Sequence, residues 1–267
     1  MTGEEKTALA SFLNLASDYL NGGHALHKES QIFSDDAPLP INEENHPSAI
    51  PLAYMTEEPS ESFDSSESEP GELEAPEDTL DAVAEEISVC HACGLCATRK
   101  NTVPGEGVNR PLVMVVGEGP GADEDATGRP FVGRAGQLLD KMLASIALSR
   151  DKNCFIANMV KCRPPGNRDP DPIEMAACFP FLKRQILLLR PQVILCAGRI
   201  AAQNLLKTSK SLSALRGAFS ELKVGEVTFP ILSTYHPSGI LRDESKKRPT
   251  WEDLKFLKSH LTIPNEE

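Results

Sequence analysis

Read for its apolar and polar positions, the chain divides near residue 80. Before that point the one sustained pattern is in residues 4–20, EEKTALASFLNLASDYL. There Leu9, Phe12, Leu13, Ala16 and Leu20 share a helical face ahead of the stop signal Asn21-Gly22-Gly23. Beyond residue 80, short apolar runs alternate with longer stretches of helical period. The runs 112–117, 154–159, 192–197 and 229–234 predict strands, and 135–148, 172–189, 199–207 and 249–261 predict helices. A short helix is expected over 78–89, leading into Cys90. Val-Gly-Glu at the middle of 218–231 predicts a hairpin entering the last strand. Strands alternating with helices imply a parallel sheet covered on both faces, an α/β fold.

Composition sharpens the boundary. Residues 22–80 are rich in Pro, Ser, Glu and Asp and poor in large apolar groups, so burial cannot offset the entropy of ordering them. We expect a disordered acidic linker there, between a short amphipathic helix (1–21) and a globular domain (81–267). Residues 1–89 hold 21 acidic and 2 basic side chains, which leaves 18 acidic and 25 basic of the chain's 39 and 27 for the remainder. The overall charge of −12 therefore hides a basic domain, suited to a polyanionic partner, behind an acidic extension. The N-terminal helix offers a face to a protein partner or to its own domain. No apolar run approaches the roughly 18 residues of a membrane span, and the N-terminus lacks the layout of a secretory signal. The expectation is a cytoplasmic, monomeric protein with no membrane attachment.

Two features carry chemistry. The first is Gly117-Glu118-Gly119-Pro120-Gly121, which follows the 112–117 strand and precedes an acidic turn (Asp123, Glu124, Asp125) and Gly128-Arg129-Pro130-Phe131. A glycine-rich loop leaving a strand's carboxyl end, with one carboxylate and one aromatic, suits a flat ligand. It matches neither phosphate-loop pattern. Asn158 and His236 lie at two further strand ends, so Glu118, Phe131, Asn158 and His236 converge on one crevice. Arg129, Lys161, Arg163, Arg168, Arg216 and Arg242 are nearby candidates for phosphates. The second feature is Cys90-His-Ala-Cys93-Gly-Leu-Cys96, followed much later by Cys162 and Cys178. Seven cysteines in an intracellular chain point to metal or redox chemistry rather than disulfides. A C-x-x-C pair completed by two more thiolates serves iron–sulfur clusters and structural zinc alike, and Cys96 is a competing ligand. Cys154 and Cys196 fall inside strands and read as core residues.

In this order, C-x-x-C, GEGPGADED, GRPFVGRAGQLLD, NMVKCRPPGNR, Arg216-Gly217 and YHPSGILR, the motifs resemble the family 4 uracil-DNA glycosylases over about Cys90 to Leu261. The resemblance implies a three-layer α/β/α fold with a four-stranded parallel sheet, and a [4Fe-4S] cluster on Cys90, Cys93, Cys162 and Cys178. It implies an enzyme of base excision repair that flips uracil from DNA and hydrolyses its glycosidic bond. In that scheme Phe131 stacks on the base, Asn158 reads its edge and His236 donates to uracil O2. Glu118, Gly119 and Gly121 line the pocket, with Glu118 first and Asp125 second as activator of the water. Ile240, Leu241 and Arg242 enter the gap left by the flipped base, while Arg163 and Arg216 meet DNA. Where better-known relatives carry an aspartate two residues after the loop's first glycine, this chain has Gly119. Its short CRPPGNR loop, with no basic histidine-containing insertion, implies simple hydrolysis rather than a covalent adduct. A second reading of the same residues is a DNA-binding module with a redox-sensing cluster, and a third a zinc-stabilised nucleotide-binding domain.

Overall fold

The computed structural model describes residues 78–262. The expected helix 4–20 and nearly all of the acidic linker lie outside them. Asp78 and Thr79 already belong to the globular unit. The Thr79 hydroxyl accepts from Ala82 N at 3.1 Å and caps helix α1 (Leu80–Ser88), and Asp78 pairs with Arg184.

Six strands form one sheet: β1 (Glu106–Gly107), β2 (Val113–Gly117), β3 (Cys154–Asn158), β4 (Val193–Ala197), β5 (Phe219–Val224) and β6 (Val227–Thr234), in the order β1-β3-β2-β4-β6-β5. The central four are parallel, as expected, and an antiparallel strand at each edge widens the sheet to six. One edge strand, β5, is the first arm of the expected hairpin. The other, two-residue β1, carries no period for the eye to find. Strands β2, β3 and β4 are buried at every position, the signature of parallel strands covered on both faces. Along β2, Val113 and Val115 join one core with Leu139, Met142, Trp251 and Leu254. Met114 and Val116 join the other with Leu182, Ile186, Ile194 and Ala201. Helices α3 (Arg134–Ala144) and α8 (Lys247–Lys258) thus cover one face, and α4 (Pro172–Leu189) and α5 (Arg199–Leu205) the other. Between α5 and β5 lies a single turn of helix, α6 (Leu212–Leu215).

Two helices stand where turns were expected. Helix α2 (Ala122–Thr127) takes up the acidic stretch, because three carboxylates in its first turn suit the positive end of the helix dipole and Glu124 reaches back to Gly121 N. Helix α7 (Pro237–Arg242) starts on a proline, with His236 as its cap. No helix among the described residues is long and apolar enough to cross a membrane.

Register sets the location of the site. Gly117 on β2 pairs with Asn158 on β3, and Ala197 on β4 with Thr234 on β6, so the carboxyl ends of all four parallel strands finish on one rim. The chain passes from β2 to β3 on one side and from β4 towards β6 on the other. The crevice between β2 and β4 is therefore the topological switch point, where such sheets bind ligands.

Candidate active site

A cavity of about 480 Å³ opens at that rim, lined by Glu118 to Glu124, Phe131, Asn158, Gly198 and His236. Its floor depends on the absence of a side chain at Gly117. A Cβ there would lie 2.4 Å from Asn158 Oδ1 and 2.5 Å from Phe131 Cζ, so glycine is what lets amide and ring share the floor. Phe131 holds a left-handed backbone conformation (φ 52°) that a bulky residue adopts only under constraint. Two constraints are visible. Gly136 packs directly under it, where a Cβ would fall 1.8 Å from the Phe131 carbonyl oxygen. The buried Arg150 guanidinium donates to the carbonyls of Pro130 and Phe131, both at 3.0 Å, and to Asp140 at 2.8 Å.

Asn158 is buried, and its Oδ1 meets no hydrogen-bond partner. A buried acceptor left unpaired costs about 1–3 kcal/mol, so it marks a place where a donor is meant to arrive. Across the cavity the rings of Phe131 and His236 lie 5.6 Å apart, tilted by 33°. His236 Nδ1 accepts from Ser238 N at 3.1 Å and sits 2.8 Å from Ser238 Oγ. With Nδ1 an acceptor, the neutral ring carries its proton on Nε2. Glu118 lies on the cavity wall, partly exposed.

The two walls are tied together by Glu124. One carboxylate oxygen accepts from Gly121 N at 3.0 Å, and the other from Val132 N and Gly133 N, both at 2.9 Å. The glycine-rich loop and the Phe131 loop thus share one anion. Sequence reasoning passed over Glu124, Arg150 and Arg134, which also lines the cavity. A glutamate three residues after the cap glycine was the available signal for Glu124. Arg150 gave none.

Three expected site residues stand elsewhere. Asp125 is buried and faces away from the cavity, accepting from Lys100 N at 2.8 Å and Asn101 N at 3.4 Å, so it cannot hold a catalytic water there. Ile240 is fully buried in the core under α7 and presents nothing to DNA, while Leu241 packs half-buried on the same core and Arg242 reaches the cavity rim. Arg216 forms a two-pronged pair with Asp253 (3.0 and 2.9 Å) beneath Tyr235, away from the cavity. Among the other cations, Arg129 is held by Glu106, Arg168 by Glu174, and Arg163 Nε donates to Asn167.

Cys90, Cys93, Cys96, Cys162 and Cys178 line a separate small crevice with Lys161 and Arg99. Among the described residues no group of three or more His, Cys, Asp or Glu side chains is arranged to hold a metal ion. The sulfurs already receive N–H donors: Cys178 from Lys161 N at 3.2 Å, Cys162 from Arg99 Nη1 at 3.3 Å and Cys90 from Ala92 N at 3.5 Å. Burial pushes the Cys178 thiol up to about 11, against the pull of the Lys161 cation, and raises Cys162 against Arg99. Cys154 and Cys196 are buried within β3 and β4, and burial holds both thiols protonated.

A model of the Uracil DNA glycosylase superfamily matches residues 104–255, the span that holds the sheet and the cavity. The chain belongs to this superfamily. It is 44% identical over 184 residues to a type-4 uracil-DNA glycosylase of Archaeoglobus fulgidus (67% of this chain, 92% of the relative). Similarity to the type-4 enzymes of Thermotoga maritima (42% over 188 residues; 69% and 96%) and Saccharolobus solfataricus (40% over 190 residues; 69% and 88%) has the same extent. These relatives place the chain among the type-4 uracil-DNA glycosylases. The motif resemblance therefore holds across nearly the whole length of each relative, with the correction that two antiparallel strands flank the four parallel ones.

Proposed function

We propose that this chain is a monofunctional uracil-DNA glycosylase of base excision repair, which flips uracil into the cavity and hydrolyses its N-glycosidic bond to leave an abasic site. The unpartnered Asn158 Oδ1 on the cavity floor supports this most strongly. Uracil offers an N3–H donor to it, whereas cytosine presents a bare nitrogen and leaves the buried oxygen unpaired. Phe131 stacks on the base, and the constraints on its backbone keep the ring in place before substrate arrives. His236, with its proton on Nε2, donates to uracil O2 as negative charge gathers there, and a preorganised donor of this kind is worth roughly 3–4 kcal/mol. Glu118 activates or positions the water, and the Gly119 and Gly121 amides line the pocket. Arg163 and Arg242 meet the DNA backbone, and Leu241 enters the stack. The enzyme acts in the cytoplasm as a monomer.

The cysteine crevice fits a [4Fe-4S] cluster on Cys90, Cys93, Cys162 and Cys178. Three of these four sulfurs, those of Cys90, Cys162 and Cys178, already receive N–H donors, the kind of contact that supports cluster thiolates. When bound, the cluster supplies a fixed tie between the segment after α1, the loop after β3 and helix α4. Release of free uracil from a uracil-containing oligonucleotide tests the reading. The wild type should release it and His236→Ala should be slower by at least about a hundredfold. Binding of DNA with no uracil released would end it.

A further inference from the structure

Lys161 is fully buried on the seam between the cavity and the cysteine crevice. Its ammonium donates to the Asn158 backbone carbonyl at 3.1 Å and to Gln185 Oε1 at 2.7 Å, while its own N–H donates to Cys178 Sγ. Gln185 is anchored in turn, its amide donating to the Pro104 carbonyl at 2.8 Å. Both acceptors of the ammonium are neutral, and among the described residues no carboxylate pairs with it. A buried cation with no counter-ion is costly, so one is expected beside it. The cysteine set next to it becomes a net anion when four thiolates hold an iron–sulfur cluster.

Resting on the reading above, we propose that Lys161 is a positioning residue that joins the two sites. Its ammonium is the buried counter-charge of the cluster, and the same group holds the strand end that carries the Asn158 amide. The hydrogen bond to the Asn158 carbonyl fixes where the side chain of Asn158 stands on the cavity floor. The link runs one residue to Cys162 and one N–H to Cys178, so the cluster's seat and the base-reading amide move together.

The test uses cluster-loaded protein, with three variants beside the wild type: Lys161→Met, Lys161→Arg and Gln185→Glu. Two quantities are read, the midpoint potential of the cluster and the single-turnover rate of uracil release at saturating DNA. Removing the cation in Lys161→Met, or pairing it with a carboxylate in Gln185→Glu, should lower the potential, because an added electron is then less stabilised. Lys161→Arg, which keeps the charge, should stay near the wild type. The excision rate should fall ten- to a hundredfold in Lys161→Met, with DNA affinity changed less than about threefold. It should fall less in Gln185→Glu, which keeps the bond to Asn158. A wild-type potential in both Lys161→Met and Gln185→Glu, or a wild-type rate in Lys161→Met, overturns the proposal. If Lys161→Met fails to hold iron, an unmoved potential in Gln185→Glu alone overturns it. A wild type that holds no iron or releases no uracil fells the underlying reading, a different outcome from an active, loaded wild type whose variants do not respond.

Discussion

Replacing Glu124 with alanine deletes the anion that joins the two loops of the cavity. Three backbone N–H groups, of Gly121, Val132 and Gly133, lose an ionised acceptor at 2.9–3.0 Å. A hydrogen bond to a charged group contributes about 1.5–3 kcal/mol. Glu124 is partly exposed, so water replaces part of what is lost, and halving the sum gives roughly 2–4 kcal/mol. For a domain of this size that is a fall of about 5–15 °C in Tm. Glu124→Gln keeps one oxygen, enough for the Val132 and Gly133 pair, but turns an amide NH2 towards Gly121 N. It should lose about 1–2 kcal/mol. Thermal melts followed by circular dichroism measure both variants. Single-turnover excision, run well below either Tm, separates loop placement from stability, and the alanine variant should be at least tenfold slower because the Phe131 loop is no longer tied to the glycine-rich loop. An alanine variant that melts within about 1 °C of the wild type and cleaves at the wild-type rate would refute this account of the cavity walls.

Three further outcomes follow from the same structure. Gly117→Ala puts a methyl 2.4 Å from Asn158 Oδ1 and 2.5 Å from Phe131 Cζ, so excision should fall more than tenfold for a stability loss of about 1–3 kcal/mol, read by kinetics and denaturant titration together. Asp125→Asn should lower stability by about 1–3 kcal/mol yet leave the low-temperature excision rate within about threefold, because the carboxylate holds the Lys100–Asn101 backbone and not a water; a large rate loss in folded protein would restore it to catalysis. The Arg168 guanidinium holds the Glu174 carboxyl below its ordinary 4.5. Its contribution to stability is therefore complete above about pH 4.5 and is lost as pH falls through the lowered value, so acid titrations of Glu174→Gln should show a shallower loss below that pH.

The fold was largely legible because its signals are local. Asp171-Pro172 with Glu174 three residues on is a capping signature, and α4 runs over the expected 172–189. Continuous apolar runs located the four parallel strands to within about two residues. Helices α2 and α7 escaped because each is six residues long, too short to show a period. Strand β1 is set by pairing with β3, a long-range contact with no sequence trace. In the site, strand-end residues could be placed from order alone, and Phe131, Asn158 and His236 do meet. What a side chain does at its position could not. Asp125 reads as a pocket carboxylate by proximity to Glu118, but one helical turn aims it at Lys100 and Asn101. Ile240 and Leu241 read as exposed beside Arg242, but α7 turns Ile240 into the core. Lys161 reads as a phosphate contact, and its stem instead runs inward to Gln185.

The central claim is that the unpaired Asn158 Oδ1 waits for the N3–H of uracil. Single-turnover excision of uracil and of N3-methyluracil from otherwise identical oligonucleotides tests it most directly, since the methyl group removes that one donor. The account predicts that N3-methyluracil is released at least about a thousandfold more slowly, as expected when a buried acceptor loses its partner. Equal rates for the two bases would contradict it.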